Sequence, residues 1–175
     1  MTRILFVCSG NEYRSPIAER LFAARLGPQV GGFLVGSAGT VARSGAPLSP
    51  RTAQVISDLG GSGEGFATRR LSAELVASAD LVLGLAREHR EAAVRLCPAA
   101  LRRCFVLEEF VRLAAGADSA GGVVAGAAAA RGRWPVVFAD DVEDPAGQAD
   151  EVLRRCAERI DRAVRRAAAL LSVAG

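Results

Sequence analysis

The stretch RILFVC, Arg3 to Cys8, constrains the fold more than any other. It is a continuous apolar run, as a strand buried on both faces of a parallel sheet would be. The residues after the following loop, SPIAERLFAARL, read as a helix, with Ser15 placed to cap it and Pro16 at its first position. The pairing then repeats. GFLVGSAGT predicts a second strand, and SPRTAQVISDLG a helix capped by Ser49 and ended by glycine. ADLVLGLA predicts a third strand, and REHREAAVRLCP a helix stopped at Pro98. RCFVL predicts a fourth strand running into the helical EEFVRLAA. A last helix is predicted from about Asp150 to Leu171, where Val152, Ala157, Ile160, Val164, Ala168 and Leu171 recur at helical intervals. Strand and helix in alternation imply one α/β domain with a parallel sheet, here spanning 1–175. Residues 115–132, AGADSAGGVVAGAAAARG, are low in complexity. They form an Ala-rich surface helix or a flexible insertion, and their glycines weigh against a rigid helix.

Composition excludes several classes. Apolar residues are 50% and charged residues 23%, an ordinary soluble balance. All 22 basic residues are arginine, and they mix with 19 acidic residues for a net charge of +3. No basic block stands out, so no nucleic-acid partner is expected. No run approaches the ~18 apolar residues of a membrane span, and ILFV is too short for a signal sequence. The four cysteines, Cys8, Cys97, Cys104 and Cys156, are too sparse for a disulfide scaffold, which favours a reducing, cytoplasmic setting.

The chemistry concentrates in VCSGNEYRSP. A cysteine, five residues and an arginine recur by chance in so arginine-rich a chain, at Cys97/Arg103 and Cys156/Arg162. Context separates them. Cys156 falls inside a helix, where positions six apart do not share a face. Cys97 ends a helix beside Pro98. Only Cys8 ends a buried strand and leads through Ser9, Gly10, Asn11, Glu12 and Tyr13 to Arg14 and a helix start. Such a loop turns backbone N–H groups and a helix dipole toward an anion. Gly10 and Asn11 suit the left-handed backbone it needs. A cysteine placed there, near an arginine, is a reactive thiolate candidate. Arg14 offers a planar fork for two phosphoryl oxygens, and the Ser15 hydroxyl can bond the sulfur. The plainer reading makes Cys8 a small buried hydrophobe and Arg14 a surface residue. A second cluster, FADDVEDPAGQAD, places Asp140, Asp141, Glu143 and Asp144 before Pro145. A carboxylic acid there could protonate a leaving oxygen, and Asp144 is preferred because Pro145 stiffens it.

These segments, in this order, resemble the low-molecular-weight protein tyrosine phosphatase family. FVCSGNEYRSPIAERLF is similar to its phosphate loop and first helix, GSAGT to the segment after its second strand, and DDVEDP to its general-acid loop. TRRLSAELVASADLVLGLAREHREAAVRL follows its middle section. The resemblance implies a three-layer, flavodoxin-like fold with a four-stranded parallel sheet and helices on both faces. It implies phosphomonoester hydrolysis through a phosphocysteine, with no metal and no cofactor. Cys8 would be the nucleophile, Arg14 the phosphate binder and Asp144 the general acid. Asn11, Ser15 and Ser37 would form the network that supports the loop. The substrate would be a phosphorylated protein or a small phosphoester, and inorganic phosphate or sulfate would fit the loop.

The chain also departs from that pattern. Tyr13 stands where the family often has a second cysteine, so no protective disulfide is expected. Glu12 puts a carboxylate on the rim, Phe66 stands in place of a network histidine, and Ala146 replaces an aromatic wall. His89, the only histidine, is expected at the surface or in the core rather than in catalysis. Three alternatives stay open: a phosphatase of the same fold for a small molecule or another phospho-residue such as phosphoarginine, a thioredoxin-linked arsenate reductase using Cys97 and Cys104, and a non-catalytic module that binds an anion or a phosphoprotein.

Overall fold

The computed structural model describes residues 1–116, 122–133 and 138–172. The strands are β1 (Thr2–Cys8), β2 (Phe33–Gly39), β3 (Leu81–Gly84) and β4 (Cys104–Val106). All pair in parallel, in the order β2-β1-β3-β4. The helices are α1 (Arg14–Leu26), α2 (Pro50–Asp58), α3 (Ala73–Ser78), α4 (Arg87–Leu96), α5 (Leu107–Ala115), α6 (Val123–Ala130) and α7 (Asp150–Ser172). The predicted strands and helices all form. The short α3, capped by the Ser72 hydroxyl, is an addition that its six residues hide from a periodicity reading.

The apolar run of β1 alternates between two cores. Ile4, Phe6 and Cys8 join α1, α5 and α7 on one face, while Leu5 and Val7 join Val76 of α3 and Ala93 of α4 on the other. Both faces are covered, so no polar alternation survives in the sequence. The result is the three-layer, flavodoxin-like α/β arrangement. β1 has β2 on one side and β3 on the other, so its carboxyl end is the point where the chain order reverses. Ligands of open α/β sheets bind at such a point.

Three local expectations change. Ser15 is not a cap: α1 starts at Arg14, Tyr13 holds the cap position with no side-chain bond, and the Ser15 hydroxyl is turned to other partners. Pro16 is therefore the third helical residue, where its missing N–H still has no intrahelical partner to lose. Of Gly10 and Asn11, only Asn11 takes a positive φ, at 56°. Within 115–132, residues 123–130 are helical and bury Ala127 and Ala130, while 117–121 lie outside the described residues.

Candidate active site

β1 ends on Cys8 at the switch point, and Ser9 to Tyr13 form the loop to α1. β2 runs alongside and braces it: Thr40 N–H donates to the Cys8 carbonyl at 2.9 Å and Val41 N–H to the Ser9 carbonyl at 3.0 Å. This close pass requires Gly39. A Cβ there would lie 2.5 Å from the Ser9 carbonyl oxygen and 2.7 Å from Asn11 N, distances no side chain tolerates.

Below the loop lies a buried polar chain. Cys8 Sγ, 2% exposed, receives the Asn11 N–H at 3.3 Å and meets the Ser15 hydroxyl at 2.9 Å. Asn11 is fully buried, and its amide donates to Ser15 Oγ at 2.9 Å and Ser37 Oγ at 2.8 Å. Its Oδ1 accepts from Arg69 N–H at 2.7 Å, which fixes which end of the amide faces which partner. Ser37 in turn donates to Glu19 Oε2 at 2.6 Å. Burial raises the Glu19 pKa, partly offset by the Ser37 bond and by Arg20 and Arg69. Glu19 was not singled out from sequence, although a signal existed. Ser15, Ala18, Glu19 and Phe22 share one helical face, and an acid on an otherwise inward face needs a partner.

Arg14 is 4% exposed and held from three sides. Nη1 donates to the Val142 carbonyl at 3.1 Å, and Nη2 donates to Ser9 Oγ at 3.3 Å and Asp144 Oδ2 at 2.6 Å. Asp144 thus comes from 130 residues away to the arginine of the loop. Its other oxygen accepts from Ala146 N–H at 3.1 Å, a local turn that sets its direction. The loop carrying it is anchored along its length. Asp140 pairs with Arg112 at 2.7 Å, Asp141 accepts from Arg87 N–H at 2.8 Å, and Arg159 donates to the Asp141 and Ala139 carbonyls. Asp140 and Asp141 are therefore occupied structurally, and Asp144 is the carboxylate that faces the loop.

A cavity of about 50 Å³ opens above Cys8, lined by Cys8, Gly10, Glu12, Tyr13, Arg14, Asp144 and Ala146. That volume suits a tetrahedral anion rather than a whole ligand. α2 steadies one lip, since Thr52 donates to the Glu12 carbonyl at 3.1 Å and Arg51 pairs with Asp150 at 2.7 Å. Glu12 is exposed with its side chain folded over Gly10, so its carboxylate sits at the mouth rather than against Cys8. Phe66 is buried beneath Arg20, 5.3 Å from its guanidinium, and fills its position with packing instead of a polar bond.

His89 falls on the core side of the sequence reading. It is buried, as one branch of that reading allowed, but its Nε2 lies 3.0 Å from Ser9 Oγ, in contact with the loop. No local pattern could reveal this, because the contact depends on α4 starting beside β1. The other cysteines stay outside the site's bonding. Cys104 lies inside β4, where burial pushes its thiol up to about 11, and Cys156 donates to the Glu143 carbonyl with its thiol pushed by burial to about 12.

The chain is similar in sequence and in fold to known proteins. Residues 3–120 match the family model described as low molecular weight phosphotyrosine protein phosphatase. The low molecular weight protein-tyrosine-phosphatase Etp of Escherichia coli is 40% identical over 95 residues, covering 54% of this chain and 62% of that protein. This chain therefore matches less than two thirds of that relative's length. A protein-arginine-phosphatase of Geobacillus stearothermophilus is 34% identical over 109 residues, covering 62% of this chain and 71% of the relative. The solved structure of an arginine phosphatase from that organism superposes with a TM-score of 0.76 at 28% identity, over 99% of this chain and 94% of that one.

Proposed function

The chain belongs to the low molecular weight phosphotyrosine protein phosphatase family, and on that premise we propose that it hydrolyses phosphomonoesters through a phosphocysteine. The observation that carries this reading is the meeting of Cys8, Arg14 and Asp144 around one anion-sized cavity. A phosphoryl group in the loop takes two oxygens onto the Arg14 fork and the rest onto loop N–H groups, which neutralises the charge that spreads over them in the transition state. Cys8 Sγ attacks phosphorus in line while the bond to the leaving oxygen breaks. Asp144 gives that oxygen its proton. Water then attacks the phosphocysteine, Asp144 takes the proton back, and the sulfur–phosphorus bond breaks. The Ser15 hydroxyl, 2.9 Å from Sγ, stabilises the departing sulfur. Asn11, Ser37 and Glu19 act through Ser15 and the loop backbone.

The substrate we favour is phosphotyrosine in a protein, with Tyr13 as the remaining aromatic at the mouth. Glu12 favours a second reading. A carboxylate at the mouth attracts a cationic phospho-residue, and the similar Geobacillus stearothermophilus protein is named for phosphoarginine chemistry. The free cysteines fit a cytoplasmic location. No helix among the described residues is long and apolar enough to cross a membrane.

The test is phosphate release from a phosphotyrosine peptide, a phosphoarginine peptide and a simple aryl phosphate, with Cys8→Ser alongside. Turnover that Cys8→Ser lowers by at least ~10³-fold supports the mechanism, and the preferred peptide names the substrate. Folded wild type no faster than Cys8→Ser on all three overturns it in favour of a binding module.

A further inference from the structure

Arg14 must present its guanidinium at one attitude to grip two phosphoryl oxygens, and two of its three supports trace back to one short segment, the third being Asp144. Nη1 donates to the Val142 carbonyl, and Val142 N–H donates to the Leu85 carbonyl at 2.8 Å. Nη2 donates to Ser9 Oγ, and Ser9 Oγ meets His89 Nε2. Leu85 follows β3 and His89 lies in the first turn of α4, so residues 85–89 stand behind both arms. Gly84 permits the close seat: a Cβ there would lie 2.7 Å from Arg90 N and 3.2 Å from His89 Cβ.

The ring's bonding is one-sided. His89 is 1% exposed, Nε2 lies 3.3 Å from Glu88 Oε1 as well as beside Ser9, and Nδ1 is buried without a hydrogen-bond partner. A proton on Nδ1 would be an orphaned buried donor, whereas a bare lone pair there is the lesser cost. The proton therefore sits on Nε2 and is donated to Ser9 Oγ. Burial, assisted by Arg14 and opposed by Asp144, lowers the His89 pKa to about 4, so the ring adds no charge beside Arg14 at neutral pH.

We propose that His89 is a positioning residue, fixing the Ser9 hydroxyl so that Ser9 and Val142 hold the Arg14 guanidinium ready for a phosphoryl dianion. The inference rests on the loop being a phosphate site. Its test reads binding of inorganic phosphate by calorimetry, and kcat and KM on an aryl phosphate. His89→Leu keeps bulk and removes the donor, and should weaken phosphate about tenfold. His89→Gln restores a donor and should recover to within about threefold of wild type. Ser9→Ala should weaken phosphate as His89→Leu does, and His89→Leu added to Ser9→Ala should cost nothing further, because both remove one bond. Melting temperatures identify any variant that fails to fold. If His89→Leu does not fold, Ser9→Ala and His89→Gln decide: loss in the first with recovery in the second supports the inference. A folded His89→Leu or Ser9→Ala that binds phosphate as wild type does overturns the inference, as do losses that multiply in the double variant. Wild type that binds no phosphate overturns the phosphatase reading itself, a separate result.

Discussion

The floor and the rim of the cavity are built on opposite plans. On the floor, Cys8, Asn11, Arg14, Ser15 and Ser37 are all at most 4% exposed, and each takes part in at least one hydrogen bond within the site. At the rim, Glu12, Asp144 and Ala146 face solvent, and the Glu12 side chain does little but lie over Gly10. Buried polar chains are costly when incomplete, so the floor tolerates little change. Exposed side chains at the mouth cost little to exchange. On the proposed reading, the chemistry falls to the floor together with Asp144, which reaches down to Arg14, and substrate preference to Glu12 and Ala146.

Asn11→Ala strikes the floor hardest. It leaves Ser15, Ser37 and Arg69 N–H without their partner and puts alanine at φ 56°. The expected loss is about 2–4 kcal/mol of stability, read by denaturant unfolding, with turnover falling as well. A loss under ~0.5 kcal/mol would mean that the floor is not an interlocked unit.

Acid should divide two titratable groups that stand behind the floor, His89 and Glu19. His89 has a folded pKa of about 4 against 6.5 unfolded. Its stabilising contribution is full above pH 6.5 and declines as pH falls toward 4, because the unfolded chain takes the proton first. The shift corresponds to roughly 2–3 kcal/mol across that window. Glu19 has a raised pKa, so it works in the opposite direction: its charged form is a cost at neutral pH that is relieved as pH falls toward 4.5. Melting curves from pH 7 to 4 should lose part of their acid decline in His89→Gln and steepen in Glu19→Gln. Unchanged slopes in both variants would show that neither group titrates as its surroundings require.

The smallest effect belongs to the rim. Glu12→Gln should leave stability within ~0.5 kcal/mol. It should raise kcat/KM for acidic phosphotyrosine peptides, and lower it for cationic ones, by a few-fold, less at high salt. A change in kcat alone, equal for all peptides, would move Glu12 from selection to chemistry.

The strand and helix order and the place of the loop from Ser9 to Tyr13 between β1 and α1 were legible because they are local. Apolar runs, caps and breakers act within a few residues, and a buried strand must be apolar wherever it lies. Ser15 shows the limit of local reading, since a serine before a proline resembles a cap until a thiol and an amide claim its hydroxyl. The acid loop was legible as a cluster of carboxylates. Only the fold showed that Arg112 and Arg87 occupy Asp140 and Asp141 while Arg14 meets Asp144.

The chain by itself therefore determined its elements, its parallel sheet and the loop that ends β1. Those follow from hydrophobic burial and backbone preference, which one-dimensional pattern records. Tertiary structure alone decided that Glu19 closes the polar chain, that Gly39 must be glycine, and that His89 stands behind Arg14. Each of these depends on segments far apart in sequence packing within hydrogen-bond reach, and a hydrogen bond exists only where three-dimensional distance permits it.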